Sequence, residues 1–157
     1  MEYIISVDNI ESHNIIFRHP IKNQNEKFTN FYKIIYSNAN LTLKYILITF
    51  EMKSHDIISN NNNYLLYINK SDKIFTQLKN IELTILKSIN CHVKKNIVLN
   101  CYNELINKPF IYCFQQKPIF KHFCVKISGV WEDSNNIGLV YKLYYNTSTE
   151  KLLRMSC

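Results

Sequence analysis

The clearest pattern in the chain is a pair of alternating runs, Phe123 to Tyr145, joined by a polar segment. In the first run Val125, Ile127 and Trp131 fall on one side with Gly129 between them, and Cys124, Lys126, Ser128 and Val130 fall on the other. In the second run Leu139, Tyr141, Leu143 and Tyr145 alternate with Gly138, Val140, Lys142 and Tyr144. Successive side chains on a strand point to opposite faces, so a period of two predicts a half-buried β-hairpin. Asp133, Ser134, Asn135 and Asn136 supply the turn chemistry. Both glycines of the chain lie in this hairpin, which predicts one local kink in each strand.

Upstream, residues 2–7 and 14–18 read as a pair of short strands or as a strand and an irregular arm, the second run ended by His19-Pro20. Residues 31–37 and 41–51 read as two strands around the turn Ser37 to Asn40. In the longer one, Leu41, Leu43, Tyr45 and Leu47 form one face, and Thr42, Lys44, Ile46, Ile48 and Phe50 form the other. Both faces become apolar towards its end, so that end should be covered on both sides. Residues 53–63, with a run of Asn, read as a loop, and 64–69 as a strand. The period then changes. Ile74, Leu78, Ile81, Ile85 and Ile89 recur at helical spacing, which predicts an amphipathic helix over 73–90 with Ser71 or Asp72 as N-cap. Residues 91–108 are open between an irregular segment and a second helix ended by Pro109. Residues 110–116 read as an edge strand.

These elements predict a mainly β, α+β fold. Five strands with a helix between the third and fourth is the order of an OB barrel, although other α+β folds share it. That barrel binds oligonucleotides on its second and third strands and the adjoining loops. The expected organisation is a single OB-like domain over 1–157, a five-stranded barrel with an inserted helix. Residues 1–27 form an N-terminal strand extension and 91–109 an insertion.

Composition narrows the function classes. The net charge is +7, carried by 17 Lys and by Arg18 and Arg154. A basic balance favours anionic partners. Lysine suits phosphate contact without sequence preference better than it suits reading of base edges, where Arg dominates. Ile, Asn and Lys all have A/T-rich codons, so a biased genome accounts for the same excess. The N-terminal stretch lacks the pattern of a signal peptide, and no run approaches the length of a membrane span. The five cysteines lack CxxC spacing and read as reduced thiols of an intracellular protein. No metal site or cofactor is expected. His55-Asp56 and the paired carboxylates Glu132-Asp133 are the groups worth weighing for catalysis. Without a phosphate loop, nucleophile elbow or HExxH, the reading is non-enzymatic.

A single strand needs a cationic track and flat faces for its bases. Lys33, Lys44, Phe50, Lys126, Lys142 and Tyr144 are the candidate contact residues. Lys126 and Lys142 can share a face across the hairpin, and Lys142 shares one with Tyr144. Trp131 and Tyr141 are read as packing residues.

The wording of the chain also resembles OB-fold single-stranded-DNA-binding proteins of large DNA viruses. The resemblance rests on Ile34, Ile35, Tyr36 and Ser37, then Ile127, Ser128, Gly129 and Trp131, then Gly138, Tyr141 and Lys142. It implies binding of single-stranded DNA or RNA in viral replication or repair, in the cytoplasm or nucleus of an infected cell. Replication proteins and a second copy of the chain are admitted as further partners, with no membrane. The chain departs from that pattern at its end, STEKLLRMSC, where an acidic tail is expected. The alternative is a non-catalytic β-rich interaction or viral structural protein that has kept the barrel.

Overall fold

The computed structural model describes residues 10–22, 29–51, 57–60, 63–66, 73–108, 112–114, 120–147 and 152–154. After a 3-10 turn at Ser12–Asn14 come β1 (Ile15–Phe17), β2 (Ile21–Lys22), β3 (Asn30–Asn38), β4 (Leu41–Leu43) and β5 (Ile46–Glu51). They are followed by β6 (Ile57–Asn60), β7 (Asn63–Leu66), α1 (Lys73–Val93), β8 (Asn96–Ile97) and α2 (Asn100–Asn107). The last strands are β9 (Tyr112–Phe114), β10 (Phe120–Glu132), β11 (Asn136–Thr147) and β12 (Leu152–Arg154). Among the described residues the fold is mainly β, with a curled main sheet, a small second sheet and two α-helices.

The sheet is assembled on β10. One edge of β10 pairs with β11 from Phe120 to Glu132. Its other edge is divided: β5 takes His122 to Ile127 and β3 takes Gly129 to Glu132. The division falls at a β-bulge, where Ser128 is the extra residue between the pairs Ile127–Tyr141 and Gly129–Val140. A bulge bends its strand and increases the local twist, which is what curls the sheet here. The strand order is β1-β3-β10-β11-β12, with β2 and β4 also on β3, β5 on β10 and β8 on β11. Strands β6, β7 and β9 form a separate three-stranded sheet.

The bulge also moves the alternation by one. Phe123, Val125 and Ile127 face the core, and beyond Ser128 it is Val130 that faces in, not Trp131 as a straight alternation predicts. Trp131 lies on the other face, against Gly138. A Cβ on Gly138 would sit 2.4 Å from the indole Cζ2, so the missing side chain makes room for the ring. The register is continuous through Gly138, so the kink expected in the second strand is replaced by this close approach. The turn is closed by Asp133, whose Oδ1 accepts the N–H groups of Asn135 and Asn136 at 2.8 and 2.7 Å.

The expected strand 41–51 is two strands. A bend at Lys44 and Tyr45 separates β4, paired with β3, from β5, paired with β10. The core side passes across it from Leu43 to Ile46, Ile48 and Phe50. Leu47, on the opposite side of β5, is also buried, so this strand is covered on both faces. The loop expected over 53–63 contains β6, antiparallel to β7. The expected strand 2–7 and the N-cap at Ser71 or Asp72 lie outside the described residues.

Helix α1 buries Phe75, Leu78, Ile81, Ile85, Leu86 and Ile89 against the concave side of the sheet. It continues past residue 90 and ends at Lys94, whose φ of 53° is left-handed. Asn90 closes this end: its carbonyl accepts the Lys94 N–H at 3.0 Å and its Oδ1 accepts the Lys95 N–H at 2.7 Å. The N-cap of α2 is Leu99, which has no polar side chain to serve that helix. Glu82 of α1, fully buried, takes its place. Its Oε1 accepts the Cys101 N–H at 3.0 Å and its Oε2 the Tyr102 N–H at 2.8 Å. Desolvation drives the Glu82 carboxyl above its ordinary value, against the lowering effect of these two donors.

Candidate nucleic-acid interface

The convex side of β5, β10 and β11 carries the cationic and aromatic residues. Register brings them together. Lys126 lies between Leu47 of β5 and Lys142 of β11, and Cys124 lies between Thr49 and Tyr144. The Lys126 Nζ stands 3.9 Å from the centre of the Tyr45 ring and 5.8 Å from that of Tyr144. An ammonium over a ring face is attracted by the negative face of the π-system, by about 0.5–1 kcal/mol at an exposed site. Beneath this cluster Leu47 and Cys124 are buried. Lys142 is exposed, and Tyr45 and Tyr144 are half-buried.

The other candidates are placed differently. Lys33 is half-buried and sits opposite Gly129, further along β10 on the same side of the sheet. The Phe31 ring covers Gly129 so closely that a Cβ there would lie 2.4 Å from Phe31 Cε2. Lys44 is exposed in the bend that leads into β5. Phe50 does not belong to the surface. It is 3% exposed and stacks on Phe123 with ring centres 5.9 Å apart, so it offers no face to a base. The cause is the bend at Lys44 and Tyr45. The face that sequence alternation assigned to Lys44 and Phe50 is, within β5, the core face.

Sequence reasoning missed Tyr45 as a member of the cluster. Its place depends on the pairing of β5 with the first half of β10, and no local signal encodes that pairing. The adjacency of Lys44 and Tyr45 was visible, but not which of the two would meet Lys126.

Glu132, Asp133 and Glu104 are spent on structure. Glu132 accepts from the Tyr32 hydroxyl at 2.6 Å and the Asn30 amide at 2.9 Å, and the Lys95 ammonium lies 3.7 Å away. Burial acts to raise the Glu132 carboxyl, but these donors outweigh it and hold it below the ordinary range. Burial and the Glu132 hydrogen bond push Tyr32 up to about 12. Asp133, the adjacent acid, is turned into the hairpin loop, so the two do not converge on one site. Glu104 accepts from the Tyr141 hydroxyl and the Lys108 ammonium. Burial opposes its ionisation, yet these donors keep its carboxyl below the ordinary value. Among the described residues no three His, Cys, Asp or Glu side chains gather as a metal site. His55-Asp56 lies outside the described residues. No helix among them is long and apolar enough to cross a membrane. Compared with known proteins, the chain matches no family model, no curated protein and no solved structure.

Proposed function

We propose that this protein binds single-stranded nucleic acid without sequence preference, on the convex face carrying Lys126, Lys142, Tyr45 and Tyr144. The observation that carries the reading is the Lys126 ammonium between two tyrosine rings with exposed Lys142 directly across the strand pair. Phosphates need the cations, and bases need flat faces beside them. Lys44, at the entry to β5, and Lys33, on β3 opposite Gly129 of β10, extend the cationic track in two directions. The curled sheet with a long closing hairpin supports an OB-like barrel as the frame. A role in viral DNA replication or repair rests on the resemblance of residues 34–37, 127–131 and 138–142. No catalytic step is assigned.

The test is fluorescence anisotropy with a labelled oligo-dT and a labelled oligo-U across a salt series. If Lys44, Lys126 and Lys142 each neutralise one phosphate, log Kd should change with log salt with a slope of about 2 in magnitude, at about 0.7 per phosphate. Lys142→Ala should weaken binding for both oligonucleotides and lower the slope by about 0.7. Absence of binding at low ionic strength, or a slope unchanged in Lys142→Ala, overturns the proposal.

A further inference from the structure

Strands β1 and β2 run as one interrupted edge strand along β3. Ile15, Ile16 and Phe17 pair with Tyr36, Ile35 and Ile34, and Ile21 and Lys22 pair with Phe31 and Asn30. The Arg18 N–H donates to the Lys33 carbonyl between them, and one extra residue is absorbed at His19-Pro20. No described strand pairs with the other side of β1. An open groove of about 1020 Å³ runs along this edge, and its far wall is the last turn of α1, with Ile89, His92 and Val93.

Two properties state what the groove accepts. Arg18, His19, Lys33 and His92 line it, and none of these side chains has a hydrogen bond or ion pair among the described residues. His13, at the rim, is matched by Glu11 at 3.2 Å. Ile16 and Ile21, 49% and 59% exposed, are the large hydrophobic side chains left exposed among the described residues, and both line this groove. Cations alone would suit a nucleic acid. Phe17 and Tyr32 also line the groove, half-buried, and the Tyr32 hydroxyl is held by Glu132; the apolar side chains that stand exposed, Ile16 and Ile21, are aliphatic and offer no stacking face to a base. An extended peptide uses every feature at once. Its main chain meets the open edge of β1, its apolar side chains meet Ile16 and Ile21, and its carboxylates meet Arg18 and Lys33.

We propose that this groove receives an extended segment of a partner protein, about six to eight residues rich in acidic and aliphatic side chains, added as a strand beside β1 under the end of α1. The site is distinct from the Lys126–Lys142 cluster and does not depend on it, although Lys33 borders both the groove and the cationic track.

The test uses the full chain and a fluorescein-labelled octapeptide, Ser-Ile-Ser-Glu-Ser-Ile-Ser-Glu, whose aliphatic and acidic side chains share one face as Ile16 and Arg18 do, read by anisotropy. Arg18→Glu and Ile16→Glu change exposed side chains, and circular dichroism checks that each variant folds. Each should weaken peptide binding at least about tenfold, which is 1.4 kcal/mol. Lys73→Glu, at the opposite end of α1, should leave it within about twofold. A peptide N-methylated at alternate residues should bind at least about tenfold more weakly, since it cannot pair as a strand. Oligo-dT affinity should be unchanged in Arg18→Glu. No saturable peptide binding up to about 1 mM overturns the proposal, and so does equal binding of the N-methylated peptide. Retention of affinity in Arg18→Glu also overturns it, and a matching loss of oligo-dT binding in that variant would make the groove a nucleic-acid path instead.

Discussion

Replacing Glu82 with Ala removes the acceptor shared by two N–H groups at the start of α2. Leu99, at the N-cap, has no side chain to substitute for it. A buried amide left without an acceptor costs about 1–3 kcal/mol, and loss of a helix cap typically about 1 kcal/mol. The Cys101 N–H is buried with its residue, whereas Tyr102 is half-buried and can recruit water. Relief of a desolvated charge offsets part of the loss, which leaves about 2 kcal/mol. With an m-value of about 2 kcal/mol/M for a chain of this size, the urea midpoint should fall by about 1 M. Trp131 emission follows the transition. Glu82→Gln adds the pH test. The raised carboxyl means that the folded state holds this proton more tightly than the unfolded chain does. Its stabilising contribution is therefore full below the ordinary value of 4.5 and is lost as pH rises through the folded value. The Gln variant keeps the shape and cannot titrate, so the wild type should lose stability relative to it as pH rises from 4.5. An Ala variant within about 0.5 kcal/mol of wild type, the range of an ordinary surface change, refutes the capping role. Parallel pH profiles for wild type and Glu82→Gln refute the linkage.

Three other perturbations test the frame. Tyr32→Phe removes the hydroxyl that donates to Glu132 at 2.6 Å, and should cost about 1.5 kcal/mol by urea unfolding. In the wild type one tyrosine should ionise near 12 in an alkaline absorbance titration, and that step should vanish in the variant. The same group contributes stability that is full below 10 and lost as pH rises through about 12. Glu132 has the opposite sign: its depressed carboxyl contributes stability present above 4.5 and lost on acidification, so Glu132→Gln should flatten the acid limb. Gly138→Ala forces a Cβ to within 2.4 Å of the Trp131 ring. It should destabilise by about 2 kcal/mol and shift Trp131 emission, and a variant with wild-type emission and midpoint contradicts the packing described here.

The hairpin and α1 are legible in the sequence because their signals are local. Alternation over Phe123 to Ile127 and over Leu139 to Leu143 needs only neighbouring residues, and so does the helical spacing from Ile74 to Ile89. The common face of Lys126, Lys142 and Tyr144 follows from the same alternation, because all three lie on the near side of the bulge. Straight alternation places Trp131 on the wrong face because Ser128 inserts one residue, and only the adjacent Gly129 hints at it. Alternation puts Lys44 and Phe50 on one face because the bend between β4 and β5 carries neither Gly nor Pro to mark it.

By itself, then, the sequence determined the type of each strongly periodic element, the excess of positive charge and which neighbouring side chains alternate. Those properties depend on backbone geometry and composition within a few residues. The tertiary structure decided which distant segments meet. It split the edge of β10 between β3 and β5, and so brought Tyr45 to Lys126 and closed Phe50 against Phe123. It also carried Glu82 from the middle of one helix to the start of another, and left Ile16 and Ile21 exposed on an edge. The physical reason is the same in each case. Burial and hydrogen-bond satisfaction are set by partners far away in the chain, and a local pattern cannot name them.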